Sequence, residues 1–358
     1  MPSHDGHESP RGEPIASPSA PRITMAMSLA PDLIHQLRSL RRDGNGNWGP
    51  NTLGKAPHKP IMLLAVLDLY AAGHLHENLI PYDEALLEAF DCYWQLCCPG
   101  RPTNPLQPYW YLKGEGFWQH QARPGYRQAL ATLISAKAKV PTRSLIASQV
   151  AGAVLSQAFY AAAMNPIGRE ALRQLLISTY FGGELRQALA QQHQVVVDAF
   201  ACATALQRQA EHDLQDLFCG NQALDSAYTE ESRNLAFRRV VVGAYAHHCA
   251  FCGARIRTPS GRSAVQAAHI VPFHLCRNND PRNGLALCPL HHWAFDQGML
   301  SVSDSHRISV HAYARELPAD PGFVALHRQA MRLPDDPRYL PATQALAWHR
   351  KEIFAKAG

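Results

Sequence analysis

Four cysteine and histidine residues form two short-spaced pairs, and this arrangement constrains the fold more than any other feature of the sequence. Cys249 and Cys252 are separated by two residues, and Cys288 and His291 repeat that spacing. Zinc in proteins prefers four tetrahedral Cys or His ligands, which are often supplied as such pairs. The sequence therefore predicts a structural Zn2+ site that joins two segments distant from each other in the chain.

Three further polar residues lie between and beside these pairs, and a zinc site does not account for them. His269 precedes Ile-Val-Pro, Asn283 precedes Gly-Leu, and His292 directly follows His291. A structural zinc site without chemistry is the simpler interpretation of the cysteines. The additional histidines and the asparagine favour a nuclease instead.

The order of these motifs resembles that of the HNH (ββα-metal) endonuclease family over about residues 245–300. The resemblance implies that His269 is the general base that deprotonates the attacking water, and that Asn283 fixes the loop geometry and the orientation of His269. It implies that His292 binds a catalytic divalent cation, Mg2+ or Mn2+, which would stabilise charge on the phosphorane and the leaving oxygen. Histidine suits the base role because its ordinary pKa lies near neutrality.

Ala268 departs from the family pattern, since many members carry an Asp immediately before the base, where it helps to hold the metal. A subset of the family has Ala-Ala-His at this point, as this chain does. The second protein ligand of the catalytic cation is therefore open, and Asp296 is the candidate. The alternative is that Asp296 is only a local cap or turn residue.

Length and composition favour two domains. A chain of 358 residues, of which 46% are hydrophobic, suits two cores with connecting segments. No apolar run reaches the roughly 18 residues of a membrane span. The N-terminus has no basic segment followed by an apolar core, so no secretory signal is predicted and a cytoplasmic protein without a membrane partner is expected.

Arginine dominates the basic residues, which number 34 and include 27 Arg against a net charge of +5. Between residues 231 and 282, eight Arg face only Glu231 and Asp280. Such an excess is typical of a solvated surface or of a nucleic-acid footprint, because the planar guanidinium makes bidentate phosphate contacts. The overlap with the Cys/His motifs favours the footprint.

Nine cysteines, an odd number in a long chain, do not indicate the disulfide framework of a secreted protein. Three of them have metal-ligand spacing and are named above. The other six are predicted to be small buried hydrophobic residues.

Apolar periodicity and the positions of Pro and Gly predict four segments and an α+β fold class. Residues 1–27 are predicted to be a disordered tail, with Met25 or Met27 as alternative starts to Met1. A mainly helical first domain spans 28–183, a helical connector 184–230, and a second domain with a C-terminal helix 231–358. The resemblance to the HNH family implies that this second domain has a zinc-containing ββα-metal fold. The predicted elements are helices at Pro60–Tyr70, Tyr82–Trp94, Arg169–Tyr180 and Ala345–Ala355, a loop at Pro99–Pro108, and an aromatic, strand-like segment at Tyr109–Gln119.

Two segments of the first domain place polar residues next to prolines and aromatic rings. His58 and Lys59 lie between two prolines before the first buried helix, and Gln-Pro-Tyr-Trp-Tyr occupies residues 107–111. Aromatic and proline residues near a turn usually pack a core, and that interpretation stays open. The functional alternative is a phosphate contact beside an apolar wall.

These segments resemble the sulfur-binding domain of McrA-like type IV restriction endonucleases over about residues 30–182. That family joins this domain to a C-terminal HNH module and cleaves phosphorothioate-modified DNA. The family often has Tyr where this chain has Gln107. The resemblance implies a sulfur pocket lined by Gln107, Pro108, Tyr109 and Tyr111, with His58 and Lys59 on the DNA backbone and Arg143 as a further backbone candidate.

Sulfur in a non-bridging position of a phosphorothioate differs from the oxygen that it replaces. It is larger, more polarisable and a poorer hydrogen-bond acceptor. An apolar pocket therefore accepts sulfur and disfavours the strongly hydrated oxygen.

Together these features predict a modification-dependent restriction endonuclease that binds phosphorothioated double-stranded DNA with its first domain and cuts it with its second. Phosphate contacts would supply affinity, and the first domain would supply discrimination. One active centre per chain means that a double-strand break needs a homodimer or two successive nicks. Two alternatives stay open: an HNH restriction enzyme that reads methylated or unmodified DNA, and a zinc-stabilised DNA-binding protein without catalysis.

Overall fold

The computed structural model describes residues 29–135, 140–214, 216–258, 261–316 and 321–357. The predicted tail over residues 1–27, with its alternative starting methionines, lies outside the described residues. Within the described part, no helix has the length and apolar character needed to cross a membrane.

The first half is mainly helical, as the sequence predicts. Its elements are α1 (Pro31–Arg38), α2 (His58–Ala71), α3 (Glu84–Cys97), α4 (Leu106–Tyr111), β1 (Trp118–Ala122), α5 (Arg127–Ser135), α6 (Arg143–Gln149), β2 (Val150–Leu155), α7 (Gln157–Met164) and α8 (Pro166–Tyr180). Strands β1 and β2 pair antiparallel. Short 3-10 turns occupy Pro50–Thr52 and Leu112–Gly114.

Helix α2 forms the centre of this half. Its residues from Pro60 to Tyr70 are all buried, because the run is apolar on every face rather than on one. Gly73, at a φ of +67°, follows the helix in the left-handed conformation that glycine adopts without strain. The predicted helix Pro60–Tyr70 is confirmed. Helix α3 confirms the helix predicted at Tyr82–Trp94, and α8 confirms the one predicted at Arg169–Tyr180.

The strand-like prediction for Tyr109–Gln119 is wrong over most of its length. Residues 109–111 belong to α4, and the strand begins only at Trp118. Pro108 falls within the first turn of α4, where a missing N–H breaks no intrahelical hydrogen bond, so the proline-rich segment ends in a helix. The loop predicted over Pro99–Pro108 therefore ends at Pro105, three residues before Pro108.

A 25-residue helix, α9 (Leu185–Gln209), lies within the predicted connector. Its N-terminal part contributes buried residues as far as Val196 to the core of the first half. From Cys202 onward it contributes to a second core. The helix is therefore shared by both cores, which gives the two halves a common rigid element.

The second half contains short strands between helices. Its elements are α10 (Gln222–Ala227), α11 (Glu230–Ala244), β3 (Gln266–His269), α12 (Phe273–Cys276), β4 (Gly284–Leu287), α13 (Pro289–Asp296), β5 (Leu300–Val302), β6 (Ile308–Val310), α14 (Ala312–Glu316), α15 (Pro321–Val324) and α16 (Thr343–Glu352). Further 3-10 turns occupy Leu217–Cys219, Pro281–Asn283, Pro337–Tyr339 and Phe354–Lys356. Helix α16 and the last turn correspond to the helix predicted at Ala345–Ala355.

Two antiparallel strands followed directly by a helix form the centre of the second half. His269 of β3 pairs with Gly284 of β4, and α13 begins two residues after β4 ends. A Cβ atom at Gly284 would lie 2.5 Å from Val241 Cγ2 and 2.9 Å from the ring of Phe237 on α11. Glycine at this position therefore allows α11 to pack closely behind the strand pair.

Candidate active site

The four residues with zinc-ligand spacing converge in the structure. The ligand atoms of Cys249, Cys252, Cys288 and His291 all lie within 4.8 Å of one another. Nδ1 of His291 is 3.3 Å from Sγ of both Cys249 and Cys288. The first pair lies in the turn before β3, and the second lies at the start of α13, so a shared ion would clamp the helix to that turn.

The chemistry of this cluster fits zinc. Tetrahedral Zn2+ with its usual bond lengths places a sulfur and a nitrogen ligand roughly 3.5 Å apart, close to the observed separations. A hydrogen bond from Cys288 lowers the pKa of the Cys249 thiol to about 3, although burial acts in the opposite direction. The same hydrogen bond raises the pKa of Cys288, so the pair favours one thiolate, the form of cysteine that binds metal.

His269 lies at the end of β3 with its ring stacked on Phe237, at 3.9 Å between centroids and 6° between planes. Its Nε2 is 2.9 Å from Oδ1 of Asn279, a residue that the sequence analysis did not identify. Since an amide oxygen only accepts hydrogen bonds, Nε2 carries the proton and Nδ1 keeps its lone pair. Burial lowers the pKa of His269, which the bond to Asn279 partly offsets, so the ring is neutral near neutral pH.

Asn283 is fully buried and holds the loop that follows His269. Its Oδ1 accepts a hydrogen bond from the backbone N–H of Val271 at 2.9 Å, and its Nδ2 donates to the carbonyls of Val271 and Asn278 at 3.0 and 3.3 Å. The backbone carbonyl of Asn283 accepts from the N–H of Ile270 at 2.9 Å. These contacts fix the backbone directly after His269, and they thereby fix the orientation of the His269 side chain.

His292 and Asp296 lie one turn apart on α13. Nε2 of His292 is 3.5 Å from Oδ2 of Asp296. Nδ1 of the same ring is 2.7 Å from Oε1 of Gln266 on β3. Burial raises the pKa of Asp296, and the neighbouring His292 partly offsets this.

A cavity of about 330 Å³ joins these residues, since His269, His292 and Asp296 all line it. His349 of α16 lines it too, a residue that the sequence analysis did not single out. His349 is buried, with Nδ1 2.9 Å from Oγ of Ser301 and Nε2 3.1 Å from the carbonyl of Phe295. Both ring nitrogens are thus occupied, and the residue supports the wall of the cavity.

Residues 249–303 match the HNH endonuclease family. The chain carries an HNH endonuclease domain. The matched segment contains the Cys/His cluster, β3, β4 and α13.

A solved structure described as "Modification dependent TagI restriction endonuclease" is similar to part of the chain. The sequences are 26% identical, and the TM-score is 0.27. The similarity covers 33% of this chain and 37% of that chain, so the two share about a third of their lengths. No curated protein matches the sequence.

The first half of the chain, which precedes the HNH domain in sequence, contains an open cavity of about 520 Å³. It brings together five of the seven residues predicted to contact modified DNA. The five are His58, Lys59, Gln107, Pro108 and Tyr111. Arg41, Arg42 and Lys113, which were not predicted, also line the cavity and add positive charge to it, together with the acidic Asp43.

Tyr109 and Arg143 do not belong to this cavity, and their predicted contact roles are not supported. Tyr109 is completely buried, and its hydroxyl donates a hydrogen bond of 2.9 Å to the carbonyl of Ile80. It points inward because α4 is a helix, so that adjacent residues do not share one face. Arg143 begins α6 and lies close to Gly261 of the second half.

The two basic residues predicted to hold the DNA backbone differ in their charge state. Burial, followed by the positive charge of Arg101, lowers the pKa of His58 to about 4, so this ring is neutral. Lys59 forms an ion pair with Glu115, which is itself almost fully buried. Lys113, over the ring of Trp110 at 4.0 Å, has no such acidic partner within the described residues.

The arginine-rich segment between residues 231 and 282 is largely paired within the chain. Six of its eight arginines form ion pairs with acidic residues of the described structure, a result that weakens its interpretation as a free DNA footprint. The six are Arg233, Arg239, Arg257, Arg262, Arg277 and Arg282.

Three of these pairs reach α3 of the first half. Glu88 accepts from Arg239 at 2.6 Å, Asp91 lies 3.3 Å from Arg262, and Glu84 pairs with both Arg257 and His247. Burial raises the pKa of Glu84, but its two basic partners outweigh this and lower it to about 2. Arg239, Arg257 and Arg262 thus serve the contact between the two halves.

Proposed function

We propose that the protein is a DNA endonuclease in which His269 is the general base and His292 and Asp296 hold a divalent cation. The main support for this proposal is that the side chains of His269, His292 and Asp296 line one cavity, next to the Cys/His cluster. A bound Mg2+ or Mn2+ would stabilise the charge that develops on the phosphate and the leaving oxygen. The cluster itself would hold a structural Zn2+.

The environment of His269 supports the role of base. Its Nε2–H donates to Asn279 and its ring stacks on Phe237, so the position and tautomer of the imidazole are both fixed. Nδ1 is then free to accept a proton from water, and the lowered pKa keeps the ring unprotonated at neutral pH. Asn283 contributes by holding the backbone at Ile270 and Val271.

A cleavage assay with His269→Ala tests this role. Plasmid DNA is incubated with Mg2+ or Mn2+, and the rates of nicking and linearisation are measured for the variant and the wild type. We expect a loss of at least about a hundredfold, which is typical for removal of a general base. Zinc content should be unchanged; equal cleavage with intact zinc would reject His269 as the base.

We further propose that the cavity of the first half binds phosphorothioated DNA. Pro108 supplies a buried apolar wall, and the neutral ring of His58 lies at the same cavity. Such a surface suits sulfur better than a charged, hydrated oxygen. Arg41, Arg42 and Lys113 at the rim would attract the DNA backbone on either side.

Two duplexes of one sequence, with and without a single phosphorothioate, provide the test. We expect tighter binding and faster cutting of the modified duplex. The variant Pro108→Glu should remove this preference, because it brings a carboxylate against the sulfur, and its zinc content should stay unchanged. Equal binding of both duplexes by the wild type would instead favour a reader of methylated or unmodified DNA.

Each chain contains one such catalytic cavity among its described residues, so a double-strand break requires two events. We propose that either a homodimer or two successive nicks supply them. The dependence of linearisation on enzyme concentration, measured against nicking, separates the two routes. Binding without any cutting under either metal would favour the alternative of a zinc-stabilised DNA-binding protein.

A further inference from the structure

Gln266, at the first position of β3, contacts the predicted metal ligand His292 through its side chain. Its Oε1 lies 2.7 Å from Nδ1 of the imidazole, a distance typical of a strong hydrogen bond. The backbone of Gln266 is fixed because it pairs with Leu287 in the β3–β4 ladder. No motif in the sequence indicated a role for this glutamine.

The contact determines which nitrogen of His292 is free. An amide oxygen accepts a hydrogen bond and donates none, so the proton of a neutral His292 must be on Nδ1. The lone pair is then on Nε2, which is the nitrogen 3.5 Å from Oδ2 of Asp296. Two ligand atoms bound to one cation at about 2.1 Å each lie roughly 3 Å apart, so this spacing needs little adjustment.

We propose that Gln266 is a positioning residue that holds His292 in the tautomer and orientation required to bind the catalytic cation together with Asp296. This inference rests on the proposed function, because it assumes that His292 is a ligand. Histidines that bind metals usually donate their second N–H to a protein acceptor, and loss of that acceptor weakens metal binding by about 10–100-fold. Gln266 supplies such an acceptor here.

The surroundings of His292 support the assignment. Among the described residues, its ring nitrogens contact only Gln266 on one side and Asp296 on the other. Without Gln266, the ring could turn over and present Nδ1 to Asp296, because the carboxylate accepts from either nitrogen. The glutamine is therefore the contact that distinguishes the two orientations.

Gln266 also lies on the wall of a second cavity, of about 440 Å³, between α3 and α11. Glu88 and Arg239, which pair across the two halves, line the same cavity. Gln266 is not among the residues that line the catalytic cavity, so its replacement should leave the lining of that cavity unchanged.

Three variants of the full-length protein test the proposal. Gln266→Leu keeps the approximate size and removes the acceptor, and Gln266→Glu restores an acceptor as a carboxylate. Gln297→Ala is the matched control, because this exposed glutamine follows α13 and its side chain has no hydrogen-bond partner in the described contacts. All variants are first compared with the wild type for zinc content and melting temperature.

Two measurements without DNA then report on the site. Mn2+ titration followed by electron paramagnetic resonance gives the affinity, and 15N NMR of the imidazole nitrogens gives the tautomer of His292, assigned with His292→Ala. We expect Gln266→Leu to bind Mn2+ about tenfold more weakly, the lower end of the usual range because the contact is exposed. We also expect its Nδ1–H tautomer to lose population, and Gln266→Glu and Gln297→Ala to behave like the wild type.

The outcomes separate this inference from the proposed function. If His292→Ala leaves Mn2+ affinity unchanged, His292 is not a metal ligand, and both the metal assignment and the role of Gln266 are rejected. If His292→Ala abolishes binding but Gln266→Leu keeps wild-type affinity and tautomer, only the positioning role is rejected. Loss of zinc or stability in Gln266→Leu that Gln266→Glu does not rescue would indicate a structural role and overturn the proposal.

Discussion

Glu88 of α3 accepts a hydrogen bond of 2.6 Å from Arg239 of α11, so that the first half of the chain is joined to the second half by charge. Arg239 also lies over the ring of Phe200 on the shared helix α9, at 4.0 Å from its centroid. The guanidinium is thus held by one residue from each of two neighbouring helices. This contact connects the proposed DNA-reading half to the helix behind His269.

A double-mutant cycle with Glu88→Gln and Arg239→Gln should detect this pair. Both side chains are partly exposed, so we expect a coupling free energy of only about 1 kcal/mol. Chemical denaturation at low and high salt provides the measurement, and the coupling should fall as salt screens the charges. Additive effects of the two substitutions at low salt would show that the pair does not join the halves energetically.

The buried network around Asp68 should contribute much more to the free energy of unfolding than the pair of Glu88 and Arg239 does. Its carboxylate contacts Nη1 of Arg173 at 2.6 Å, the hydroxyl of Tyr93 at 2.6 Å and Nδ1 of His193 at 3.0 Å, which ties α2 to three other helices. Asp68→Ala would remove the shorter ion pair of the buried Arg173 and leave it only the partly exposed Glu170 at 3.5 Å, at a cost of about 3–5 kcal/mol. The free energy of unfolding checks this, with Glu77→Gln, an exposed carboxylate, expected to change it by less than about 0.5 kcal/mol.

The motifs and the long apolar segments could be predicted from the sequence because their signals are local. The spacing of Cys249 and Cys252 defines a turn, and the apolar run of α2 defines a buried helix. The pairing of Cys288 with Cys249 followed only from the preference of zinc for four ligands. The helical conformation at Tyr109 was missed, because aromatic residues favour strands while the position of Pro108 allowed a helix.

Contacts across the chain could not be predicted. Gln266 meets His292, and Ser301 meets His349, only because separate elements pack against one another. The pairing of Glu88 with Arg239 depends on how the two cores share α9. A single sequence records the charges of such residues but not their partners, and this is why the arginine-rich segment appeared free.

His349 should make stability depend on pH. Burial lowers its pKa to about 4 from an ordinary value of 6.5, so the unfolded chain takes up the proton first as the pH falls. The free energy of unfolding therefore keeps the full contribution of the neutral His349 above about pH 6.5. It decreases as the pH falls toward 4, by at most roughly 3 kcal/mol. His349→Gln should flatten the dependence of unfolding free energy on pH in this window; an unchanged slope would exclude His349 as its source.

Removal of zinc should unfold the centre of the HNH domain. The Cys/His cluster joins the turn before β3 to α13, and binding energy of a structural zinc appears as folding energy. Cys288→Ser should lower the bound zinc well below one per chain and reduce the melting temperature. Cys97→Ser, a half-buried cysteine of the first half, is the control and should keep full zinc; equal zinc in both variants would reject the cluster as the site.

Lys113 and Lys59 should differ in their contribution to DNA binding, although both line the cavity of the first half. The charge of Lys59 is neutralised by Glu115, whereas Lys113 lies over Trp110 and is free to contact a phosphate. Each phosphate contact releases about one counterion, so Lys113→Ala should reduce the slope of log affinity against log salt by about 1. Lys351→Ala, in the last helix, should leave the slope unchanged. Lys59→Gln should alter the slope less than Lys113→Ala does, because Glu115 already neutralises the charge of Lys59. A larger change for Lys59 would mean that DNA displaces Glu115 and that Lys59, rather than Lys113, holds the backbone.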